Sequence, residues 1–362
     1  MTEHQTDALA DDVAGIVLEQ AERLFRDSLT REVLQAADGG RWQAPLWGLV
    51  EESGLPLALV PEEKGGVGLP PVEAFRLLRR SAFHALPLPL AETTVAAALW
   101  TSAGGEPFAG ACSLAPVTAD DRLVFERAGD GYRVTGTARR VPWGSQVPNL
   151  LLFGHDETGA PRLALTAAVA AEPGRFNLAG EPRDRLVLDR TALPAEAVRP
   201  APDLCRDGLL QAGALIRAVQ MVGAMERALD SALDHANERR QFGRPIAKFQ
   251  AIQHMLAIAA GQFAAASAAA DRAAGAWGTP SFPFDVAVAK ARVGEAAGKV
   301  AETCHQVLGA MGFTQEHSLH FSTRRLWSWR DEFGHETRWQ EEIGRLVCAR
   351  GGQGLWDLLN GA

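Results

Sequence analysis

Three arginines, Arg239, Arg240 and Arg244, stand close together in the segment Glu238-Arg-Arg-Gln-Phe-Gly-Arg-Pro-Ile-Ala-Lys-Phe-Gln250. A guanidinium is a planar fork that can donate two parallel hydrogen bonds, which suits a phosphate group. Gly243 would let backbone approach a ligand or a neighbouring chain. A helix corner with solvated arginines explains the same residues, and residue types alone favour that plainer reading. A second segment, Cys304-His-Gln-Val-Leu-Gly-Ala-Met-Gly-Phe-Thr314, places small residues at 309, 310 and 312, where a cofactor or another backbone could approach. A helix cap at Gly309 accounts for it equally well. A third segment runs through Glu316-His-Ser-Leu-His320 and Thr323-Arg-Arg-Leu-Trp-Ser-Trp-Arg-Asp-Glu-Phe-Gly334. His317 and His320 share a helix face beside Glu316, but a metal site is not expected from this pair.

Other chemistries lack an anchor. There is no Gly-x-Ser-x-Gly elbow, no Walker loop and no Gly-x-Gly-x-x-Gly after a strand, so hydrolase, kinase and Rossmann readings fail. The four cysteines, Cys112, Cys205, Cys304 and Cys348, form no Cys-x-x-Cys pair and read as free thiols. The formal net charge of -8 argues against nucleic-acid binding. No apolar run approaches the roughly 18 residues of a membrane span. The polar, acidic first residues lack a signal-peptide pattern, so a cytoplasmic protein is expected.

The elements that must position these segments fall into three textures. A chain of 362 residues, 47% hydrophobic and 22% charged, suits several packed lobes. Residues 1–108 read as an N-terminal helical domain, with helical spacing at Val13, Ile16, Val17, Leu24 and Phe25. A glycine- and proline-rich break at 54–68 and a further helix near 71–83 follow. Leu86-Pro-Leu-Pro-Leu90 reads as extended. Residues 109–205 read as a middle β domain, a small sandwich or barrel. Its hairpin signature is Ala128-Gly-Asp-Gly131, and further strands are expected at 149–153, 162–165 and 185–188. Residues 206–362 return to helix, with long segments at 209–237, 249–276 and 284–308 that should pack as an antiparallel four-helix bundle. The expected class is therefore α+β.

In this order the segments resemble the acyl-CoA dehydrogenase family, which has the same succession of lobes. Val60-Pro-Glu-Glu-Lys-Gly-Gly-Val-Gly68 is similar to the family's N-terminal glycine turn. Arg239-Arg-Gln-Phe-Gly243 with Gln250 resembles its Arg-x-x-Phe-Gly…Gln signature. Gln306 with Gly309-Ala-Met-Gly-Phe313 resembles its Gln-x-x-Gly-Gly-x-Gly-Phe, with Ala310 in place of the second glycine. The resemblance implies FAD as cofactor and an acyl-CoA substrate desaturated to the 2-enoyl thioester. It also implies electron-transfer flavoprotein as acceptor. Arg239 would bind the flavin pyrophosphate of a neighbouring subunit, Phe242 and Gln250 would pack beside it and hold it, and Gln306 and Gly309 would meet its adenosine half. That trans arrangement implies an oligomer.

Two family features are missing. The "TEPxxGSD" segment that contacts flavin is absent near Cys112-Ser-Leu-Ala-Pro-Val-Thr-Ala-Asp-Asp121, and the "WITNG" strand becomes Arg140-Val-Pro-Trp-Gly144. The family's catalytic glutamate aligns on Phe333, and its alternative position falls near Gly213. Glu332, one residue away, is the candidate base that would take the substrate's α-proton. Pairing of Asp331, Glu332 and Glu336 with neighbouring arginines is the competing reading. Three functions stay open. The chain is a catalytic homo-oligomeric dehydrogenase, or a half-site subunit of a heterotetramer with a larger homologous chain in steroid or lipid catabolism, or a flavin-free helical interaction protein.

Overall fold

The computed structural model describes residues 3–360 apart from 168, 170, 206, 207 and 353. Five helices come first: α1 (Glu3–Ser28), α2 (Arg31–Ala37), α3 (Ala44–Glu52), α4 (Pro71–Phe83) and α5 (Leu90–Ser102). Prolines open α3, α4 and the short turn between them, where a missing N–H costs nothing. Extended chain was expected over residues 86–90; α5 takes the last of these residues and runs to Ser102. Leu90 to Thr101 are all buried, the polar Glu92, Thr93 and Thr94 among them, so this helix has no exposed polar stripe and no period to read.

Eight strands follow: β1 (Cys112–Ala115), β2 (Arg122–Ala128), β3 (Gly131–Pro142), β4 (Asn149–Asp156), β5 (Pro161–Thr166), β6 (Glu172–Phe176), β7 (Pro182–Pro194) and β8 (Val198–Pro200). They form one hydrogen-bonded sheet in the order β6-β7-β3-β2-β4-β5-β8, with β1 parallel to β4. The β2–β3 hairpin turns through Gly129-Asp130, the dipeptide at the centre of the sequence signature. Alternate residues of β2 are buried, and Leu123 and Phe125 join Val134, Leu150, Leu152 and Leu186 in a core private to this lobe.

The C-terminal lobe opens with α6 (Leu210–Glu238), then the two-residue strands β9 (Arg240–Gln241) and β10 (Arg244–Pro245), α7 (Gln250–Gly275) and α8 (Phe282–Leu308). It closes with α9 (Leu319–Asp331), α10 (Glu336–Arg350) and α11 (Gly354–Asn360). Short turns at 239–249 and 276–281 reverse the chain twice, so α6 and α8 run in the same direction and end together. A second core joins the bundle to the N-terminal helices and includes Phe75, Leu77, Leu99, Ile216, Met225 and Val293. The architecture is α+β: helices, a β lobe, then a helical bundle.

Candidate functional site

The residues expected to do chemistry lie at opposite ends of α6. Near its start, a cleft opens between the β lobe and the bundle. Its first chamber, ≈ 200 Å³, is lined by Val117 and Thr118 from the loop after β1, Arg140 and Pro142 from β3, Leu210 of α6, and the turn from Asp331 to Gly334 between α9 and α10. That turn bends sharply: Phe333 has φ 53° and Gly334 φ 96°. Lys290, fully buried on α8, donates from Nζ to the carbonyls of Arg330 and Gly334, both at 2.7 Å. The indole of Trp339 donates to the Phe333 carbonyl at 3.1 Å.

The two places where the family resemblance puts a catalytic glutamate meet here. Phe333 is 3% exposed, and its ring lies so close to Gly213 that a Cβ added there would stand 2.0 Å from ring Cδ1. Each position therefore explains the other: the phenyl ring occupies the space that a side chain at 213 would need. Neither position carries a carboxylate.

Glu332, the expected base, has its carboxylate in a different role. It accepts from Arg183 Nε (2.7 Å) and Nη2 (2.9 Å), from Arg217 Nε (2.7 Å) and from Asn177 Nδ2 (3.1 Å). Burial by itself would raise its pKa, but Arg183 and Arg217 hold it below the usual carboxylate range. A general base for an α-proton needs the opposite shift and a free lone pair. The sequence-based assignment of Glu332 as a base is corrected on that ground; the carboxylate sits among guanidiniums and holds lobes together. Arg217 continues the cluster to Glu92 on α5 (2.6 Å) and Gln220 (2.5 Å). Glu181 adds contacts to Arg183 (2.9 Å), Trp329 Nε1 (3.0 Å) and Arg325 (3.2 Å). Here too burial opposes ionisation, yet the surrounding arginines bring Glu181 down to about 2. One buried network thus joins the N-terminal helices, the β lobe and the bundle.

Sequence reasoning passed over Arg217, Glu92, Glu181 and Lys290. A signal existed for two of them. Arg217 interrupts Gly-Ala-Leu-Ile-Arg-Ala-Val-Gln-Met-Val, and Glu92 interrupts Leu-Ala-Glu-Thr-Thr-Val-Ala-Ala-Ala-Leu. A single charge inside an otherwise apolar helix marks a buried partner.

The far end of α6 is built differently. Arg239 caps the helix, with its N–H bonded to the His235 carbonyl at 2.8 Å. β9 and β10 pair across Phe242-Gly243, whose φ values of 51° and 79° are those of a tight hairpin turn. Phe242 is 92% exposed, touching only Phe249 edge-on at 6.1 Å among aromatic rings. Gln250 is the first residue of α7. Gln306 and Gly309 close α8 beside it, and Gly309 adopts φ 59°, ψ −142°, a conformation open to glycine. His305 is stacked between Phe313 (4.5 Å) and Trp327 (5.5 Å), which fixes the turn that follows. Arg31 of α2 donates to the carbonyls of Gln315 and Glu316 and ties down the next stretch. Arg239, Phe242, Gln250, Gln306 and Gly309 are all exposed. Among the described residues the Arg239 side chain has no hydrogen-bond or ion-pair partner. Arg239 and Gly213 are separated along α6 by ~40 Å at the ~1.5 Å rise of a helix. The five residues therefore gather at one end of the bundle, far from the cleft of their own chain.

The cleft does not fit a flavin ring by the family's means. Arg140 takes the first position of the aromatic strand motif. Trp143 is turned inward, 3% exposed and edge-on to Trp42 at 6.1 Å. The exposed end, by contrast, offers a guanidinium unpartnered among the described residues, exposed backbone at Gly309 and aromatic surface, groups that suit a dinucleotide phosphate. Among the described residues no group of three or more His, Cys, Asp or Glu side chains is placed to hold a metal ion.

A family model for the acyl-CoA dehydrogenase C-terminal domain matches residues 207–329. The acyl-CoA dehydrogenase FadE34 of Mycobacterium tuberculosis is 30% identical over 302 residues, 80% of this chain and 40% of that protein. Glutaryl-CoA dehydrogenase of Desulfococcus multivorans is 34% identical over 231 residues, 59% of this chain and 58% of that protein. The chain thus spans less than two thirds of the length of these relatives. A chain of the ChsE4-ChsE5 complex from Mycobacterium tuberculosis superposes with a TM-score of 0.82 at 24% identity, covering 96% of this chain and 98% of that one. With the lobes in the same order and the two signatures at one end of the bundle, the chain belongs to the acyl-CoA dehydrogenase family.

Proposed function

We propose that this chain is a non-catalytic, half-site subunit of a flavin-dependent acyl-CoA dehydrogenase. In this reading it assembles with a larger homologous chain and lends Arg239, Phe242, Gln250, Gln306 and Gly309 to an FAD seated mainly in that partner. The observation that carries it is the Phe333–Gly213 contact: both positions for the base converge on one place, and that place holds a phenyl ring. The ~40 Å between that place and Arg239 gives the clamp no use within its own protomer. A chain with this fold is found in the ChsE4-ChsE5 complex, which supports assembly with a second, different chain.

In the assembly, bound FAD would take up the hydride leaving the β-carbon of an acyl-CoA, with an electron-transfer flavoprotein as onward acceptor. The residues of this chain bind rather than react. The Arg239 guanidinium would pair with pyrophosphate oxygens, Phe242 would cover the dinucleotide from solvent, and Gln306 with the Gly309 backbone would meet the adenosine half. Among the described residues no helix is long and apolar enough to cross a membrane. The net charge of -8 disfavours a nucleic-acid partner.

The test is expression alone and with a larger homologue from the same genome, reading the flavin spectrum and subunit ratio. The chain alone should be colourless, and the co-expressed pair yellow and able to reduce its flavin with an acyl-CoA. In the pair, Arg239→Ala should lower flavin occupancy at least tenfold. A yellow homo-oligomer of this chain that dehydrogenates acyl-CoA, and loses that activity in Glu332→Gln, would overturn the proposal and return Glu332 to the role of base.

A further inference from the structure

The cleft near Phe333 has lost its fit to a flat neutral ring, but it has not closed. The ≈ 200 Å³ chamber adjoins another of ≈ 350 Å³, and both are lined by Val117, Thr118, Ala119, Leu210 and Arg338. Arg140 lines the first chamber and Arg122 the second. Among the described residues none of these three arginines has a hydrogen bond or ion pair from its side chain. Arg140 is also placed there at a cost. The β3–β7 register slips between Ala138 and Val141, and Arg140 adopts φ 60°, which a non-glycine residue rarely does. Bulges of this kind re-aim a side chain beside a site. The Thr118 hydroxyl oxygen, in the wall of both chambers, is buried with no hydrogen-bond partner. A buried hydroxyl left without a partner is uncommon and points to an absent ligand or water.

The cleft's carboxylates are mostly engaged. Asp121 accepts from the Arg139 backbone and side chain, both at 2.7 Å, and Glu332 is held by Arg183 and Arg217. Asp331 faces His335 at 3.8 Å. Asp120 and Asp331 remain against three unpartnered guanidiniums.

We propose that this cleft binds the diphosphate of a phosphate-bearing ligand. Arg140 and Arg338 grip the anion, Arg122 stands beside its second end, and the Thr118 hydroxyl donates to a phosphate oxygen. The inference rests on the reading that flavin is seated in the partner chain. Nucleotides and coenzyme A share the diphosphate, so the chemistry is common to both.

The purified full chain, in an Arg239→Ala background that removes the exposed clamp, is titrated calorimetrically with inorganic pyrophosphate, ADP, coenzyme A and riboflavin. Pyrophosphate should bind, ADP or coenzyme A should bind more tightly, and riboflavin, which has no phosphate, should not bind. Whichever of the two binds more tightly names the source. The double variant Arg140→Gln, Arg338→Gln should weaken pyrophosphate binding at least tenfold, and Thr118→Val about threefold, with unchanged melting temperature because the arginines are exposed. Retained pyrophosphate affinity in the double variant, or riboflavin binding as tight as that of ADP, would sink the inference. Neither result bears on the half-site proposal, which is read from flavin occupancy of the mixed assembly and its dependence on Arg239.

Discussion

The two ends of α6 have been treated in opposite ways. At the inner end, near Gly213, one polar network is buried, paired and shared between lobes, and an aromatic ring fills the place where the family resemblance puts a base. At the outer end, from Arg239 to Gln250, polar and aromatic groups are exposed, and among the described residues Arg239 is without a partner. The two ends are ~40 Å apart along the helix, so in the proposed reading one chain would supply only one of them to a given site. A chain that keeps only the outer end can still complete a neighbour's site. In the half-site reading proposed above, the buried network at the inner end is structural.

The contrast is sharpest in stability. Arg217 is 2% exposed and bonds to Glu92 and Glu332. Removing one member of a buried ionic group strands the others, so Arg217→Met should cost about 3–5 kcal/mol. Arg239→Ala, on the surface and unpaired, should cost less than about 0.5 kcal/mol. Urea unfolding of the two variants reads both numbers. Similar losses would mean that the ends are not built on different principles.

A smaller effect probes the packing that replaces the base. Gly213→Ala forces a methyl group against the Phe333 ring and should destabilise by about 1–3 kcal/mol through overpacking. Combining it with Phe333→Leu should recover part of that loss, because residues in contact are not additive. If Gly213→Ala is neutral, the ring is free to leave, and the base position is open after all.

Acid separates the ends next. Glu181 falls from an ordinary 4.5 to about 2 in the folded protein. Its folded pKa is depressed, so its contribution is fully present above about pH 4.5 and is lost as pH falls toward about 2. Unfolding free energy of the natural protein should therefore drop more steeply over that window than that of Glu181→Gln. Parallel curves would place the acid-sensitive charges elsewhere.

These differences also mark what the sequence could and could not disclose. The hairpin at Gly129-Asp130 and the long proline-free helices were legible because turn chemistry and 3.6-residue periodicity are local. The turn at the outer end was legible for a related reason: Arg239, Phe242 and Gly243 lie within one short hairpin, and their spacing is their geometry. The inner end was not. Glu92, Glu181, Arg217 and Glu332 are far apart in sequence, and only the packing of three lobes brings them together. Glu332 was misread because proximity to Gly334 in sequence says nothing about which way a carboxylate turns. The next residue, Phe333, takes a left-handed φ, and across that turn the Phe333 ring meets Gly213 while the carboxylate of Glu332 meets Arg183. α5 escaped because complete burial erases periodicity.

The last prediction concerns the clasp on that turn. Lys290 is fully buried, and burial brings its pKa down from 10.5 to about 7, against the pull of Glu332, Glu336 and Asp331 and together with the push of Arg217. Its folded pKa lies below its unfolded value, so between about 7 and 10.5 the unfolded chain holds a proton that the folded chain has released. Stability should rise with pH across that window, and the burial penalty should be present in full below it. In Lys290→Met that slope should vanish, even though the carbonyls of Arg330 and Gly334 lose their donor. Unfolding free energies measured at intervals from pH 6 to 10 decide the matter. A natural protein whose stability is flat over this range would mean that water reaches Lys290. The inner end of α6 would then be no more sealed than the outer one.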